Sequence, residues 1–203
     1  MQIKTIRAQA EVSRTLEREY RVMKDVSDTA NGDVTGRESV TLETYVQTAY
    51  FDRIIGYANR RLIHMSRHQY DLARQDAAHG DKRSQSGLGL DVVDHANGTR
   101  RAVSTLSGGE GFLASLSLAL GMSDAIQASA TSAVQLDTMF VDEGFGSLSE
   151  RFLGLVMDEL NDTANSGHRL IGVISHVDDV KEGIERRIEV TKDENGVSQA
   201  TII

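Results

Sequence analysis

Cysteine and proline are both absent from this 203-residue chain, and aromatic residues make up only 5% of it. Without cysteine there can be no disulfide and no thiolate-bound metal. The lack of proline removes the residue that most often breaks regular elements, which suits a chain dominated by helices and strands. With so few rings, the core must be built from Leu, Val, Ile and Ala. No apolar run approaches 18 residues, which excludes a transmembrane helix. The N-terminus has neither an apolar signal core nor a small-residue cleavage site, so a cytoplasmic, membrane-free location is expected.

The charge that is present is unevenly spread. Residues 1–101 hold 16 Lys/Arg against 14 Asp/Glu, a net of +2, whereas residues 102–203 hold 6 against 16, a net of −10. Phosphate backbones are bound through counterion release, which needs positive charge. Any contact with nucleic acid is therefore expected in the first half or on a partner chain.

From Gln2 to about Val26, Ile3, Ile6, Ala10, Ser13, Leu16, Tyr20 and Met23 follow the spacing of a coiled-coil seam, with an ordinary amphipathic helix as the alternative. The turn-rich 31–36 segment ends it, dividing residues 1–30 from a unit spanning 31–203. Thr41 reads as an N-cap, with Thr44 in place of the acid of a full capping box, opening a helix to about Met65. Short strands are expected at 69–73 and 88–93. A polar loop at 76–87 lies between them, and Asn97-Gly98 turns the chain into 101–103. A buried helix should run from Glu110 to Gln127. Leu136–Val141 reads as a buried parallel strand. Ser149 should cap a helix ending near Ala164 at Asn165-Ser166-Gly167, and Leu170–Ile174 should be the next buried strand. A short helix and a hairpin over 184–203, turning at 194–196, close an α/β fold.

Three local features carry chemistry. Ser107-Gly108-Gly109-Glu110 opens the buried helix, where glycines let backbone N–H groups approach an anion and the Ser107 hydroxyl adds a donor. Taken alone, the tripeptide could equally be a flexible turn with an N-cap. Asp142 and Glu143 end an apolar strand, where open α/β sheets bind ligands. Adjacent acids repel unless a cation joins them, so Asp142 is assigned to a Mg²⁺ shell and Glu143 to polarising an attacking water. His176 follows another apolar strand, where a histidine can contact a γ-phosphate or be merely structural.

The order of these features resembles the signature, Walker B and switch-histidine series of ABC ATPases. Two details narrow the resemblance to the SbcC family of SMC-like ATPases. Ser107 and Asp142 are 35 positions apart, and Asp142-Glu143-Gly144-Phe145-Gly146 replaces the Asp-Glu-Pro of transporters. Upstream, Thr44-Tyr45-Val46 and Ala58-Asn59-Arg60-Arg61-Leu62 are similar to the passage from coiled coil into head. The resemblance covers about residues 31–203. It implies the C-terminal lobe of an ATPase head, with a parallel-sheet core, flanking helices, a coiled-coil stub and a C-terminal hairpin. Further implications are ATP and Mg²⁺ as cofactors, Ser107, Gly108, Gly109 and Glu110 facing ATP, and Asp142, Glu143 and His176 at the reaction. The implied partners are an N-terminal P-loop lobe, a second head, an SbcD-type nuclease and double-stranded DNA.

Departures from the family pattern are Ser149 in place of the D-loop aspartate and Gly111 where a larger residue is common. No Gly-x-x-x-x-Gly-Lys-Ser/Thr occurs, so the chain is expected to be a C-terminal piece that cannot hydrolyse ATP alone. A non-catalytic ABC-fold interaction module and a nucleotide-binding domain of another ABC- or SMC-type protein are the alternatives. Arg53, Arg60, Arg61, Arg67, Arg100 and Arg101 could meet DNA phosphates, relay nucleotide state or stand solvated. His64 and His68 are spaced for zinc but lack an obvious acidic third ligand.

Overall fold

A computed structural model describes residues 2–33, 41–75, 88–129, 136–167, 169–193 and 196–203. Residues 34–36 of the expected 31–36 turn, the loop at 76–87 and residues 194–195 of the 194–196 hairpin turn lie outside the described residues, as do the side chains of Ile3, Ile6 and Ala10. The elements are α1 (Gln2–Asn31), α2 (Leu42–Met65), β1 (Tyr70–Arg74), β2 (Leu90–Asp94), β3 (Thr99–Ala102), α3 (Gly108–Gln127), β4 (Thr138–Asp142), α4 (Glu150–Gly167), β5 (Leu170–Ile174), α5 (Asp178–Glu182), β6 (Ile188–Lys192) and β7 (Ser198–Ile202).

Helix α2 begins as its sequence suggests. The Thr41 side chain accepts from the Thr44 N–H at 3.1 Å, and the two hydroxyls bond at 2.9 Å, so Thr44 half-fills the acid's place in the box. Its buried face carries Ile55, Ala58, Leu62 and Met65 at helical spacing, and it packs on α3 through Leu113, Leu116 and Leu120. The helices come close at Gly121, where an added Cβ would lie 2.6 Å from the Ala58 nitrogen. An antiparallel sheet ordered β1-β2-β3 contributes Leu72 and Val92, and α4 contributes Leu153, Val156 and Leu160. The core is thus mainly helical.

Strands β4 and β5 pair in parallel, with Asp142 opposite Ile174, but their expected burial is not observed. One face, with Met139, Val141, Ile171 and Val173, packs on the core. The other is bare: Phe140 is 69%, Leu170 67% and Ile174 52% exposed. The cause is that, among the described residues, helices cover only one side of the pair. Phe140 instead lies over Gly172 of the neighbouring strand, where a Cβ would come within 2.4 Å of the ring.

Boundaries also move: α3 begins at Gly108 and not Glu110, and β4 runs over Thr138–Asp142 and not 136–141. Helix α1 continues past Val26 to Asn31, and α4 continues through Asn165 and Ser166 to Gly167. In α4 the Ser166 hydroxyl donates back to the Asp162 carbonyl at 2.6 Å, so a residue expected to end the helix joins it. Leu16, Tyr20 and Met23 of the seam on α1 are exposed.

Arg61 is not a solvated arginine. It donates to Asp124 at 2.7 Å, to the Thr163 hydroxyl at 2.6 Å and to Glu159, while Arg169 reaches the other Asp124 oxygen at 3.1 Å. This half-buried network ties α2, α3, α4 and the approach to β5. Arg53 donates to the Ala128 carbonyl, Arg60 stacks over Tyr57, Arg100 pairs with Asp91 and Arg101 approaches Asp94.

Candidate active site

Ser107 caps α3 with a complete capping box. Its side chain accepts from the Glu110 N–H at 3.4 Å, and the Glu110 carboxylate accepts from the Ser107 N–H at 2.8 Å. The N–H groups of Gly108 and Gly109 lie in the first helical turn, where no intrahelical acceptor exists. The other Glu110 oxygen accepts from the Tyr70 hydroxyl at 2.5 Å, and Arg101 stands 3.9 Å from the carboxylate. Burial acts to raise the Glu110 carboxyl, but the bonds from Tyr70 and Ser107, with Arg101 nearby, hold it below the usual range. Burial, reinforced by the bond to Glu110, pushes the Tyr70 phenol up to about 12. Glu110 is thereby committed to holding the loop from behind.

Glycine serves a second purpose at 109. A Cβ there would sit 2.9 Å from the Ser147 carbonyl oxygen, so the loop rests directly on the turn after β4.

Strand β4 delivers Asp142 and Glu143 to its C-terminal end, and β5 delivers His176 beside them. Parallel pairing puts both strand ends on one edge, and the Glu143 N–H donates to the Ile174 carbonyl at 2.9 Å. His176 Nδ1 lies 2.8 Å from a Glu143 carboxylate oxygen, so residues 33 apart in sequence meet. Glu143 adopts φ +60° and Gly144 φ +101°, a left-handed pair that turns the carboxylate away from the strand direction. Asp142 is exposed and makes no hydrogen bond or ion pair among the described residues.

This edge fits a nucleotide-bound Mg²⁺. Hard carboxylate oxygens suit that ion, which characteristically takes one or two of them and completes its shell with phosphate and water. Among the described residues no group of three or more His, Cys, Asp or Glu could cage a cation unaided. His64 and His68 therefore gain no third ligand, and His64 faces Glu159 at 3.9 Å. Sequence reasoning missed Tyr70 and Phe112, the latter packed edge to face on Phe145 with centroids 5.1 Å apart. Only the aromatic character of Phe112, just after the glycines, hinted at a role.

A family model described as SbcC/RAD50-like, Walker B motif, matches residues 77–162. The chain is 46% identical over 179 residues to the SbcC subunit of the nuclease SbcCD from Vibrio cholerae, covering 88% of this chain and 17% of that protein. It is 43% identical over 155 residues to the protein of the same name from Staphylococcus epidermidis, covering 76% and 15% respectively. The chain thus spans about one sixth of the length of these relatives. In fold it is similar to a structure from work on ATP-driven dimerization and DNA-stimulated activation of SMC ATPases, with a TM-score of 0.60 at 15% identity, covering 79% of this chain and 89% of that one. It is also similar to the Smc head domain with a coiled coil and joint from Pyrococcus yayanosii, with a TM-score of 0.56 at 16% identity, covering 95% and 31%.

Proposed function

Because the chain belongs to the SbcC family, as a C-terminal piece of its ATPase head, we propose that it is half of an ATP-hydrolysing head that dimerises around ATP and gates an SbcD-type nuclease on double-stranded DNA ends and hairpins in DNA repair. The observation that carries this reading is the 2.8 Å approach of His176 to Glu143 beside a free Asp142, at one edge of a parallel strand pair. A module using the fold only as scaffold would have no use for that constellation.

In this reading Asp142 would hold Mg²⁺, which would neutralise charge on the phosphates when bound. Glu143 accepts a proton from the attacking water, and His176 orients the Glu143 carboxylate through Nδ1, leaving Nε2 for a γ-phosphate. Ser107, Gly108 and Gly109 face outward, toward ATP held by a second head. Helix α1, up to residue 30, is the end of a stalk. The bare face of Phe140, Leu170 and Ile174 is covered by the N-terminal P-loop lobe, because parallel strands need cover on both sides. No helix among the described residues is long and apolar enough to cross a membrane.

The test uses heads reconstituted with the N-terminal lobe. Ser107→Arg should leave nucleotide affinity of single heads nearly unchanged while abolishing ATP-dependent association. A charged hydrogen bond of about 1.5–3 kcal/mol is lost, and a bulky side chain fills the space beside Gly108 and Gly109. Loss of affinity in single heads with association intact would put Ser107 in the wrong site.

A further inference from the structure

We propose that Phe112 is a positioning residue that ties the signature loop of a head to the water-activating carboxylate of that same head. The inference rests on the roles given above to Ser107 and Glu143, and it adds a mechanical link between them.

Glu143 and Gly144 hold consecutive left-handed backbone conformations, with φ +60° and +101°. A side-chain-bearing residue stays there only when its surroundings determine the conformation. Three contacts do so. The Glu143 N–H is bound by the Ile174 carbonyl at 2.9 Å, and the Gly144 carbonyl accepts from the Ser147 hydroxyl at 2.9 Å. The third contact is Phe112. A Cβ on Gly144 would lie 2.3 and 2.4 Å from two ring carbons of Phe112, so the ring occupies the space a side chain would take. Beneath it, the buried Phe145 meets the same ring edge to face at an interplanar angle of 61°.

Phe112 follows Ser107 by five residues on a helix whose start is fastened by the Ser107–Glu110 box and by Tyr70. Gly109 and Phe112, three apart, share one face of α3. Gly109 rests on the Ser147 carbonyl and Phe112 on Gly144, so the helix end grips both ends of the turn that carries Glu143. A short, capped helix end moves as a unit. When Ser107 is drawn toward ATP on the facing head, Phe112 moves with it and presses on the Glu143–Gly144 turn. Each head would therefore adjust its own water-activating carboxylate according to whether the facing site is filled. Plain core filling would need apolar volume but no ring at this position.

The experiment uses the complete protein with its N-terminal lobe, stalk and nuclease partner. Phe112→Leu keeps apolar volume without the ring, and Phe112→Met is a second variant should the first fold poorly. Single-head nucleotide affinity, thermal unfolding and ATP turnover against ATP concentration are measured for each. The expected result is unchanged single-head affinity, a kcat lower by at least about tenfold, in keeping with the sensitivity of such steps to displacements near 1 Å, and a Hill coefficient falling toward one. Normal kcat and cooperativity in a folded variant would overturn the proposal. So would a fall in kcat matched by equal losses of affinity and folding. Glu143→Gln measured alongside separates the two readings. Normal turnover in that variant removes Glu143 as the base. Low turnover there, with normal turnover and cooperativity in Phe112→Leu, removes the coupling alone.

Discussion

Gly121→Ala tests the packing of α3, the helix that carries the Ser107 loop, against α2. In an isolated helix this change would stabilise by about 1 kcal/mol, since glycine carries the larger entropic cost. Here the new Cβ would lie 2.6 Å from the Ala58 nitrogen, 2.9 Å from its Cα and 2.9 Å from the Ile54 carbonyl oxygen. All three are backbone atoms of α2, so no side chain can swing aside. Reaching an ordinary separation of about 3.5 Å requires α2 and α3 to part by roughly 0.9 Å. Overpacking of this kind costs about 1–3 kcal/mol, and opening the interface also loosens Leu62 and Leu120. The balance should be a net loss of about 1–2 kcal/mol, seen as a lower urea midpoint at constant slope in far-UV circular dichroism of this chain. Gly56 in α2 and Gly154 in α4 are the controls, because a Cβ at either meets nothing within 4 Å. Gly56→Ala and Gly154→Ala should each stabilise by about 0.5–1 kcal/mol. If Gly121→Ala stabilised the chain as the controls do, the close approach of α2 and α3 would be refuted.

Arg61→Met should cost about 3 kcal/mol in the same assay, because it removes the arginine bonded to Glu159 and leaves Asp124 with Arg169 alone in a half-buried site. A loss under about 0.5 kcal/mol would mean that the network contributes only surface-like pairing. The Tyr70–Glu110 bond should shape stability at both pH extremes. Glu110 is depressed in the folded state, so its contribution is complete above the unfolded value of about 4.3 and fades as pH falls through the folded value. Tyr70 is raised, so its contribution is complete below about pH 10 and fades as pH climbs toward about 12. Tyr70→Phe should flatten the alkaline limb of urea midpoints plotted against pH. Superimposable limbs for variant and parent would argue against the bond.

Much of the site can be read from neighbouring residues alone. Thr41 with Thr44 is a contact over three positions, so local hydrogen-bonding capacity was enough to find the start of α2, whereas α3, expected from Glu110, begins at Gly108 behind a Ser107–Glu110 box. The apolar runs before Asp142 and His176 marked two strands with chemistry at their ends, because period and turn signals are also local. Boundaries at Asn165 and Ser166 were misjudged, since a serine can stop a helix or bond back into it, and only its surroundings decide.

What the chain encodes by itself is therefore most of the elements, the capped start of α2 and the residue types at the strand ends. Tertiary structure alone decided which ends meet. His176 reaches Glu143 because β4 and β5 pair in parallel register, Glu110 is held by a tyrosine 40 residues away, and Phe112 finds Gly144 only because α3 crosses the turn after β4. The bare face of β4 and β5 has the same explanation. Apolar strand residues state that both faces want cover, but whether helices of the same chain supply it is a matter of packing, and here they supply one side.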